Sequence, residues 1–416
     1  MSSALLVLIL SLLLGLQPVT TDLYLPALPA MTESFGASMS RAQLTLSALL
    51  LAFGASQVVW GPLSDRFGRK PILLVGLAAY LVAAIGSVFA TSMEQLIVWR
   101  ALQGAAMGAS VMCARAIVRD LYSPEAGARV MSKGLSGLGV IACLSAPLGG
   151  LAADLAGWRF SLLLLALFGA ATLAMVVLRF EETVAEPKRD ALRPAVLVAT
   201  WRHILGHHTF WSFALLATCS YGGLFTFLAA SSFVFIEIHG VSRSMYGLLM
   251  CSMSLSYLFG TVMCRRLLVR FGVRRTVAIG GLFSLVGGTL LGVVALLGVH
   301  GIWAILIPVY IFMAGHGVHQ PCGQSGTVGP FPRTAGAASA MGGLVMMLVA
   351  FAMGSWLGAS MDGTVFPLTN GIWFWGVATA GVAWLLVWRV KEVPETPSGA
   401  VANASAGSVP GGGSER

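Results

Sequence analysis

"GPLSDRFGRKP", residues 61–71, holds four charged side chains between two long apolar segments. Gly61 and Gly68 give the backbone the freedom for a tight turn. A turn rich in Arg and Lys between apolar helices is typical of the cytoplasmic surface of a membrane. The stretch therefore predicts two helices that cross a bilayer and are joined on its cytoplasmic side.

The composition of the whole chain is that of a membrane protein. Of the 416 residues, 57% are hydrophobic and 10% are charged, and the mean hydropathy is +0.85. Soluble domains carry roughly 25% charged residues, so this chain has too little charge to cover a surface in water. The composition predicts an integral membrane protein and excludes a soluble enzyme.

Twelve apolar stretches are long enough to cross a bilayer as helices, which takes about 20 residues each. Their continuous apolar character favours helices over the short alternating strands of a β-barrel. No Lys or Arg precedes the first stretch, so we expect a retained helix rather than a signal peptide. The twelve stretches cover residues 4–25, 42–61, 72–91, 95–118, 130–153, 158–178, 210–236, 244–264, 277–299, 302–323, 336–358 and 369–389.

The basic residues lie almost entirely on one side of the predicted membrane. If the N-terminus is cytoplasmic, 21 of the 25 Lys and Arg residues fall on the cytoplasmic side. The remaining four are Arg41, Arg100, Arg159 and Arg243. This asymmetry predicts a multi-pass protein with both termini in the cytoplasm, and it explains the net charge of +9 without a nucleic-acid partner. The six cysteines form no CxxC pair, so neither a metal site nor a disulfide framework is indicated.

A charged linker divides the chain into two sets of six helices. We expect an N-terminal half over 1–178, a cytoplasmic linker over 179–209 with a short amphipathic end, a C-terminal half over 210–390, and a disordered tail over 391–416. The stretches DRFGRKP and VRFGVRR stand at the same point of each half, 204 residues apart. Transporters built from two repeated halves have this organisation, with the substrate site between the halves.

The loop at 61–71 resembles the signature G-x-L-x-D-R-x-G-R-K of the major facilitator superfamily. The matching residues are Gly61, Leu63, Asp65, Arg66, Gly68, Arg69 and Lys70. Four other segments are similar to the Bcr/CflA group of drug-resistance exporters, namely TDLYLPALP (21–29), RALQG (100–104), ARAIVRDLY (114–122) and APLGG (146–150). The resemblance implies the all-helical major facilitator fold and proton-coupled efflux of small amphipathic molecules by alternating access. It also implies a monomer in a bacterial inner membrane, without a cofactor.

The resemblance further implies a conformational latch at the loop. Asp65 is expected to dock against the eleventh helix and to pair with the Arg119–Asp120 region, which would hold the two halves in the outward-facing state. Gly61, Arg66, Gly68 and Arg69 complete the expected latch. The residues alone allow a plainer alternative, in which the turn fixes topology and its charges are solvated.

Asp22 and Arg100 are ionisable residues inside predicted spans. Such a residue costs about 2.5–3.5 kcal/mol on insertion scales, so it is a candidate functional residue. Both lie in the outer part of their helices, so Arg100 could keep Asp22 ionised while desolvation favours protonation of Asp22. A carboxylate balanced in this way suits a proton antiporter. In the alternative, Asp22 caps its helix near the outer headgroups and Arg100 snorkels to the same interface.

Two further sets of residues are candidates. His316 and His319 are three residues apart in the tenth helix, so they predict either a proton relay or imidazoles bonded to backbone freed by Pro321. In the fifth helix, small residues let helix backbones approach closely. Pro147 would bend that helix, so we expect a kinked packing seam at Pro147, Gly149 and Gly150.

The seventh and eighth helices carry aromatic and methionine side chains that suit promiscuous binding, although many of them would face lipid instead. These are Tyr221, Phe225, Phe227, Met245, Met250, Met253 and Tyr257. No catalytic set, phosphate loop or metal cluster indicates an enzyme. The leading prediction is a proton-coupled exporter. The alternatives are a narrow metabolite exporter or facilitator in which Asp22 binds substrate, and a transporter-like sensor.

Overall fold

The computed structural model describes residues 2–122, 124–184, 193–299 and 301–390, and within these ranges all regular structure is helical, as predicted. The predicted tail over 391–416 lies outside the described residues. The helices are α1 Ser3–Asp22, α2 Leu28–Ser34, α3 Met39–Phe67, α4 Arg69–Val88, α5 Met93–Leu121, α6 Pro124–Ala156, α7 Trp158–Arg179, α8 Pro194–Leu205, α9 His208–Ser232, α10 Arg243–Leu296, α11 Ile302–Val328, α12 Ala335–Ser360 and α13 Phe366–Gly381. Tighter or wider helical turns extend α9 to Ile238 and α13 to Arg389.

Eleven helical runs in the described part of the chain are long and apolar enough to cross a membrane. One of them, α10, has 54 residues and would be about 80 Å long as a straight helix, whereas a bilayer core is roughly 30 Å thick. Its backbone leaves the helical conformation at Gly272, which has φ 72° and ψ 178°. The run therefore forms two spans, and the predicted total of twelve is confirmed.

Gly68 joins α3 to α4 through a similar break, with φ 97° and ψ 163°. Positive φ strains any residue with a side chain, so glycine lets two spanning helices follow each other through one non-helical residue. The prediction that Gly61 also turns the chain is wrong. Gly61 lies inside α3, and a Cβ on it would be 3.4 Å from Cε of Met112. Gly61 therefore faces α5 within a continuous helix.

The first span is longer than the predicted stretch 4–25. Helix α1 ends at Asp22, a single turn follows at Leu25–Ala27, and α2 continues to Ser34. Pro26 begins this new helical segment, where the N–H that proline lacks would have no helical partner. Asp22 therefore lies twelve residues, about 18 Å, before the end of the span rather than at the headgroups.

The helices pack as two groups joined by two seams. In the first group α5 packs on α3 and α4, α1 on α6, and α4 on α7; in the second α10 packs on α11 and α13, and α9 on α11 and α13. The seams are α3 against α12 and α6 against α10. We call the side of the bundle with Gly68 and Gly272 the loop end, and the other side, with Asp154, the far end.

We expect Gly272→Ala to destabilise the protein, because alanine is strained at φ 72°. The cost is about 1–3 kcal/mol, which lowers the apparent Tm of the purified protein in detergent, followed by tryptophan fluorescence. Gly139→Ala is the matched control, since Gly139 is helical and a Cβ there would meet no atom within 4 Å. An unchanged Tm for Gly272→Ala would show that the break does not depend on glycine.

Candidate functional site

A cavity of about 330 Å³ lies between the two groups of helices. It runs from Asp22 in the middle of the bundle to Arg115 and Ser339 near the loop end. Glutamine and hydroxyl side chains interrupt a largely apolar wall. The aromatic and methionine residues of the wall are Phe53, Tyr221, Phe227, Met250, Met253, Tyr257, Met313 and Met346.

Asp22 is the one carboxylate among the described residues that line this cavity. Its side chain is half-buried, and the hydroxyl of Thr21 donates a hydrogen bond of 2.7 Å to its Oδ1. Because the chain stops being helical after Asp22, the residue stands at a break within a membrane span. Acids in such positions are expensive to keep and mark functional sites.

Arg100 binds the backbone at this break in the helix, but it does not form an ion pair with Asp22. Its side chain is fully buried, and Nη2 donates to the carbonyl oxygen of Thr20 at 2.7 Å. That carbonyl is one of the last four of α1, which have no partner within the helix. Nη1 donates to Oε1 of Gln103 at 2.7 Å, and the guanidinium carbon lies 4.1 Å from the centre of the Tyr24 ring. In the described part of the chain Arg100 therefore neither forms an ion pair nor snorkels; it caps the negative end of a helix dipole.

Gly149 of α6 lets a second helix approach the same break. A Cβ on Gly149 would overlap the carbonyl oxygen of Leu23, the residue after Asp22. The carbonyl oxygen of Gly149 in turn accepts a hydrogen bond of 3.1 Å from the hydroxyl of Ser161 in α7. Backbone of α6 thus packs directly against backbone at the end of α1, as the small residues predict.

Gly150 makes the equivalent approach across the seam between α6 and α10. A Cβ on Gly150 would overlap the carbonyl oxygen of Arg243 at the start of α10. A Cβ on Gly247 would lie 2.7 Å from Cα of Pro147. Helix α6 continues through Pro147 to Ala156. The segment APLGG is therefore one place where the two groups of helices meet closely at the far end.

Polar contacts that cross between the groups close the far end. Asp154 accepts hydrogen bonds from the backbone N–H of Ser244 at 3.0 Å and from its hydroxyl at 2.6 Å, and its Oδ1 lies 3.8 Å from Nη1 of Arg243. Between α3 and α9, Nε2 of Gln43 donates to the carbonyl oxygen of Ala229 at 2.6 Å. The cavity is thus sealed at the far end and extends toward the loop end.

Four of the expected latch residues form one cluster. Arg69 is almost fully buried, with Nη1 2.7 Å from Asp65 Oδ1 and Nε 2.8 Å from Asp120 Oδ2. Arg119 lies on the outside of the cluster, with Nη2 3.6 Å from Asp65. All four residues belong to α3, α4 and α5, so the cluster ties together helices of one group.

The contact with α12, which is the eleventh span, comes from arginines rather than from Asp65. Nη1 of Arg115 donates to the hydroxyl of Ser339 at 2.7 Å, and Arg119 lies against Gly336. Arg66 instead places its guanidinium 5.4 Å from the centre of the neighbouring Phe67 ring. Arg115, which precedes the expected latch pair by one helical turn, is the residue that reaches across the cavity.

Glu182 docks on the loop, and the sequence did not indicate it. Its carboxylate accepts four backbone N–H groups, those of Arg69, Lys70 and Thr183 at 2.9 Å and that of Val184 at 3.0 Å. Burial alone would raise the pKa of Glu182, but these donors outweigh burial and hold the pKa below its ordinary value of 4.5. The first residues of the linker are therefore fastened to the N-terminus of α4.

The two histidines of α11 face different partners. His316 lines the cavity, with Nδ1 2.8 Å from the hydroxyl of Ser220, and its ring centre lies 5.5 Å from that of Tyr257. His319 is fully buried, and its Nε2 lies 3.3 Å from the carbonyl oxygen of Val277. Only His316 is placed to meet a cavity ligand. Within the described ranges, no three His, Cys, Asp or Glu residues form a group that could hold a metal ion.

A family model described as the Major Facilitator Superfamily matches residues 10–242, which is more than half of the chain. The chain belongs to the major facilitator superfamily. Its helical fold, loop signature and central cavity are those of a transporter rather than an enzyme, and the expected resemblance to the drug-resistance members of the superfamily is confirmed by the relatives that follow.

Among curated superfamily proteins, the chain is 27% identical over 368 residues to the Bicyclomycin resistance protein homolog of Haemophilus influenzae, covering 88% of this chain and 92% of the relative. It is 29% identical over 341 residues to Multidrug resistance protein D of Escherichia coli, covering 82% and 85%. Among solved structures, a D-xylose–proton symporter has a TM-score of 0.71 at 16% identity, covering 92% of this chain and 97% of that one. That structural likeness establishes the fold only.

We expect Asp154→Asn to weaken the closure of the far end, because the amide loses the charge that strengthens its contacts with Ser244 and Arg243. A loss of roughly 1 kcal/mol changes the ratio of closed to open conformers about fivefold. Spin labels on the two groups at the far end, measured by double electron–electron resonance, report the shift as longer distances. Asp362→Asn is the control, since Asp362 accepts hydrogen bonds from the backbone N–H and the hydroxyl of Thr364 in its own loop. Equal distance distributions in both variants would contradict the role of Asp154.

Glu182→Ala should release the linker from the loop and lower the apparent Tm at neutral pH. Because the pKa of Glu182 is lowered in the folded protein, its contribution is fully present above pH 4.5 and disappears as the pH falls through the lowered value. The difference in Tm between wild type and Glu182→Ala should therefore vanish in acid. Glu33→Ala, at an exposed acid of α2, controls for the loss of one charge. A Tm difference that persists unchanged in acid would contradict docking by the carboxylate.

Proposed function

We propose that the chain is a proton-coupled exporter of small amphipathic molecules that works by alternating access. The observation that carries this proposal is the position of Asp22, a lone carboxylate in the wall of a mostly apolar cavity between the two groups of helices. A carboxylate that faces the substrate cavity can bind a proton and a substrate in turn at the same position. Such an exchange couples the flux of protons to the flux of substrate without a second binding site.

The lining of the cavity favours amphipathic substrates. Of the seven aromatic and methionine candidates in the seventh and eighth spans, five line the cavity, whereas Phe225 is buried elsewhere and Met245 is exposed. Flexible methionines and flat rings adapt to ligands of different shape. A volume of about 330 Å³ is at the lower end of the range for drug-sized ligands. Polar groups such as Gln57 and Gln320 can orient a ligand within the apolar wall.

The state of the cavity supports entry from the cytoplasm. It reaches toward the loop end, which the distribution of Lys and Arg predicts to be cytoplasmic, and the far end is sealed by Gly150 and Asp154. Export then requires the far end to open while Arg115 and Arg119, already beside α12, close the loop end with the Asp65 cluster. We place the protein in a bacterial inner membrane with cytoplasmic termini. It acts as a monomer, since one chain provides the whole cavity.

Substrate-triggered proton movement in inverted membrane vesicles tests the proposal. Addition of a substrate from a panel of antibiotics and dyes should dissipate the pH gradient with wild type and with Asp362→Asn, whose acid lies outside the cavity. Asp22→Asn should lose the response by at least about 100-fold, the lower range for removal of a proton-transfer group. Size-exclusion profiles and expression levels confirm that the variants are folded.

Other results in the same vesicles would change the assigned coupling site or the assigned function. Dissipation by Asp22→Asn at the wild-type rate would move the coupling site away from Asp22, with His316 as the next cavity group to change. Binding of compounds without any proton movement in wild type would overturn proton-coupled efflux. Counterflow of a metabolite in the same vesicles would then assign a narrow facilitator, and its absence would assign a sensor.

A further inference from the structure

Helix α8 has one face on the protein and one face turned away from it. Ile204 is fully buried in one apolar cluster with Phe331 and with Ala338 and Met341 of α12, and Trp201 packs against this cluster. Outside this contact α8 still exposes large apolar side chains, because Val196 is 49% exposed, Val198 58% and Leu205 39%. A surface helix in water normally turns polar residues outward. This helix therefore needs a second apolar environment.

The position of α8 identifies that environment as the membrane surface. Helix α9, a membrane span, begins at His208, two residues after α8 ends. The indole N–H of Trp211, in the first turn of α9, donates to the carbonyl oxygen of Leu205 at 2.7 Å, and its ring is partly exposed. Tryptophan is enriched where hydrocarbon meets headgroups, so the end of α8 lies at that level.

The charge of this segment fits an anionic partner. No acidic residue occurs between Asp190 and Glu237, whereas the same stretch holds Arg193, Arg202 and three histidines. Arg202 and His203 are exposed in the last turn of α8 and line a shallow groove with Val198 and His207. Basic groups beside exposed apolar residues are typical of helices that lie in the interface of an anionic leaflet.

We propose that α8 is an interfacial helix that binds an anionic phospholipid. Arg202 and His203 contact the headgroup, and Val198 enters the region of the acyl chains. The site is connected to the cavity, because Ile204 on the inner face of α8 belongs to the same buried cluster as Ala338 of α12, and the next residue of α12, Ser339, lines the cavity. An anionic leaflet thus supports one wall of the cavity from outside.

Native mass spectrometry of the detergent-solubilised full chain tests this proposal by titration with phosphatidylglycerol and with phosphatidylcholine. Arg202→Gln should weaken binding of phosphatidylglycerol about fivefold, the effect of one basic residue near an anionic surface, and should leave phosphatidylcholine binding unchanged. Arg202→Lys should retain wild-type affinity. Arg266→Gln is the matched control, since Arg266 is an exposed arginine of α10 near the same end of the bundle.

Val198→Glu separates insertion from simple charge attraction, because it places an acid on the apolar outer face of α8. It should weaken binding of phosphatidylglycerol at least as much as Arg202→Gln does. Equal losses in Arg202→Gln and Arg266→Gln would overturn a site on α8, as would wild-type binding by Val198→Glu. Competition by inorganic phosphate at matched concentration would also overturn it, because it would show a free-anion site rather than a lipid surface.

Discussion

The hydrogen bond from Arg100 to the carbonyl oxygen of Thr20 makes a helix end possible inside the membrane. A backbone carbonyl without a partner costs several kcal/mol in hydrocarbon, since no water is present to replace the missing bond. Arg100 supplies that bond from α5. The helix dipole and the face of Tyr24 offset the cost of burying its charge. A buried cation without a carboxylate partner among the described residues is therefore understandable, because its partner is a helix end.

The interior of the protein is arranged around this helix end. Asp22 reaches the cavity because α1 stops there, and Gly149 brings α6 against the next carbonyl. The adjacent Gly150 carries the contact onward to α10 and thus to the other group of helices. The carboxylate, the interhelical packing and the seal at the far end lie within one small region. The end of α1 and the seal are thus joined through two adjacent glycines of α6.

The sequence predicts the spans well because hydropathy acts locally. The cluster of Asp65, Arg69 and Asp120 was expected only from the resemblance of the loop to the family signature, because the residues alone also allow solvated charges. Prediction from the sequence fails where the partner of a side chain is backbone. Arg100 caps a carbonyl and Glu182 binds four N–H groups. Nearly every residue type carries the same backbone groups, so the sequence does not show which of them a side chain will bind. The predicted first span, 4–25, is too short for a related reason. Pro26 indicates a break in a helix, but it does not indicate whether the chain has left the membrane at that point. The contact of Asp154 with Ser244 depends on tertiary packing of residues 90 positions apart.

Main-chain atoms that meet at Gly150 and Gly247 belong to the seal at the far end, and neither glycine lines the cavity. Residues that decide what the cavity accepts and residues that let the protein change conformation are consequently different sets. Substitutions among the aromatic and methionine side chains of the cavity can alter the range of compounds that bind there without disturbing the glycine contacts at the far end. A lineage of such proteins can therefore diversify in what it carries while the glycine contacts stay fixed.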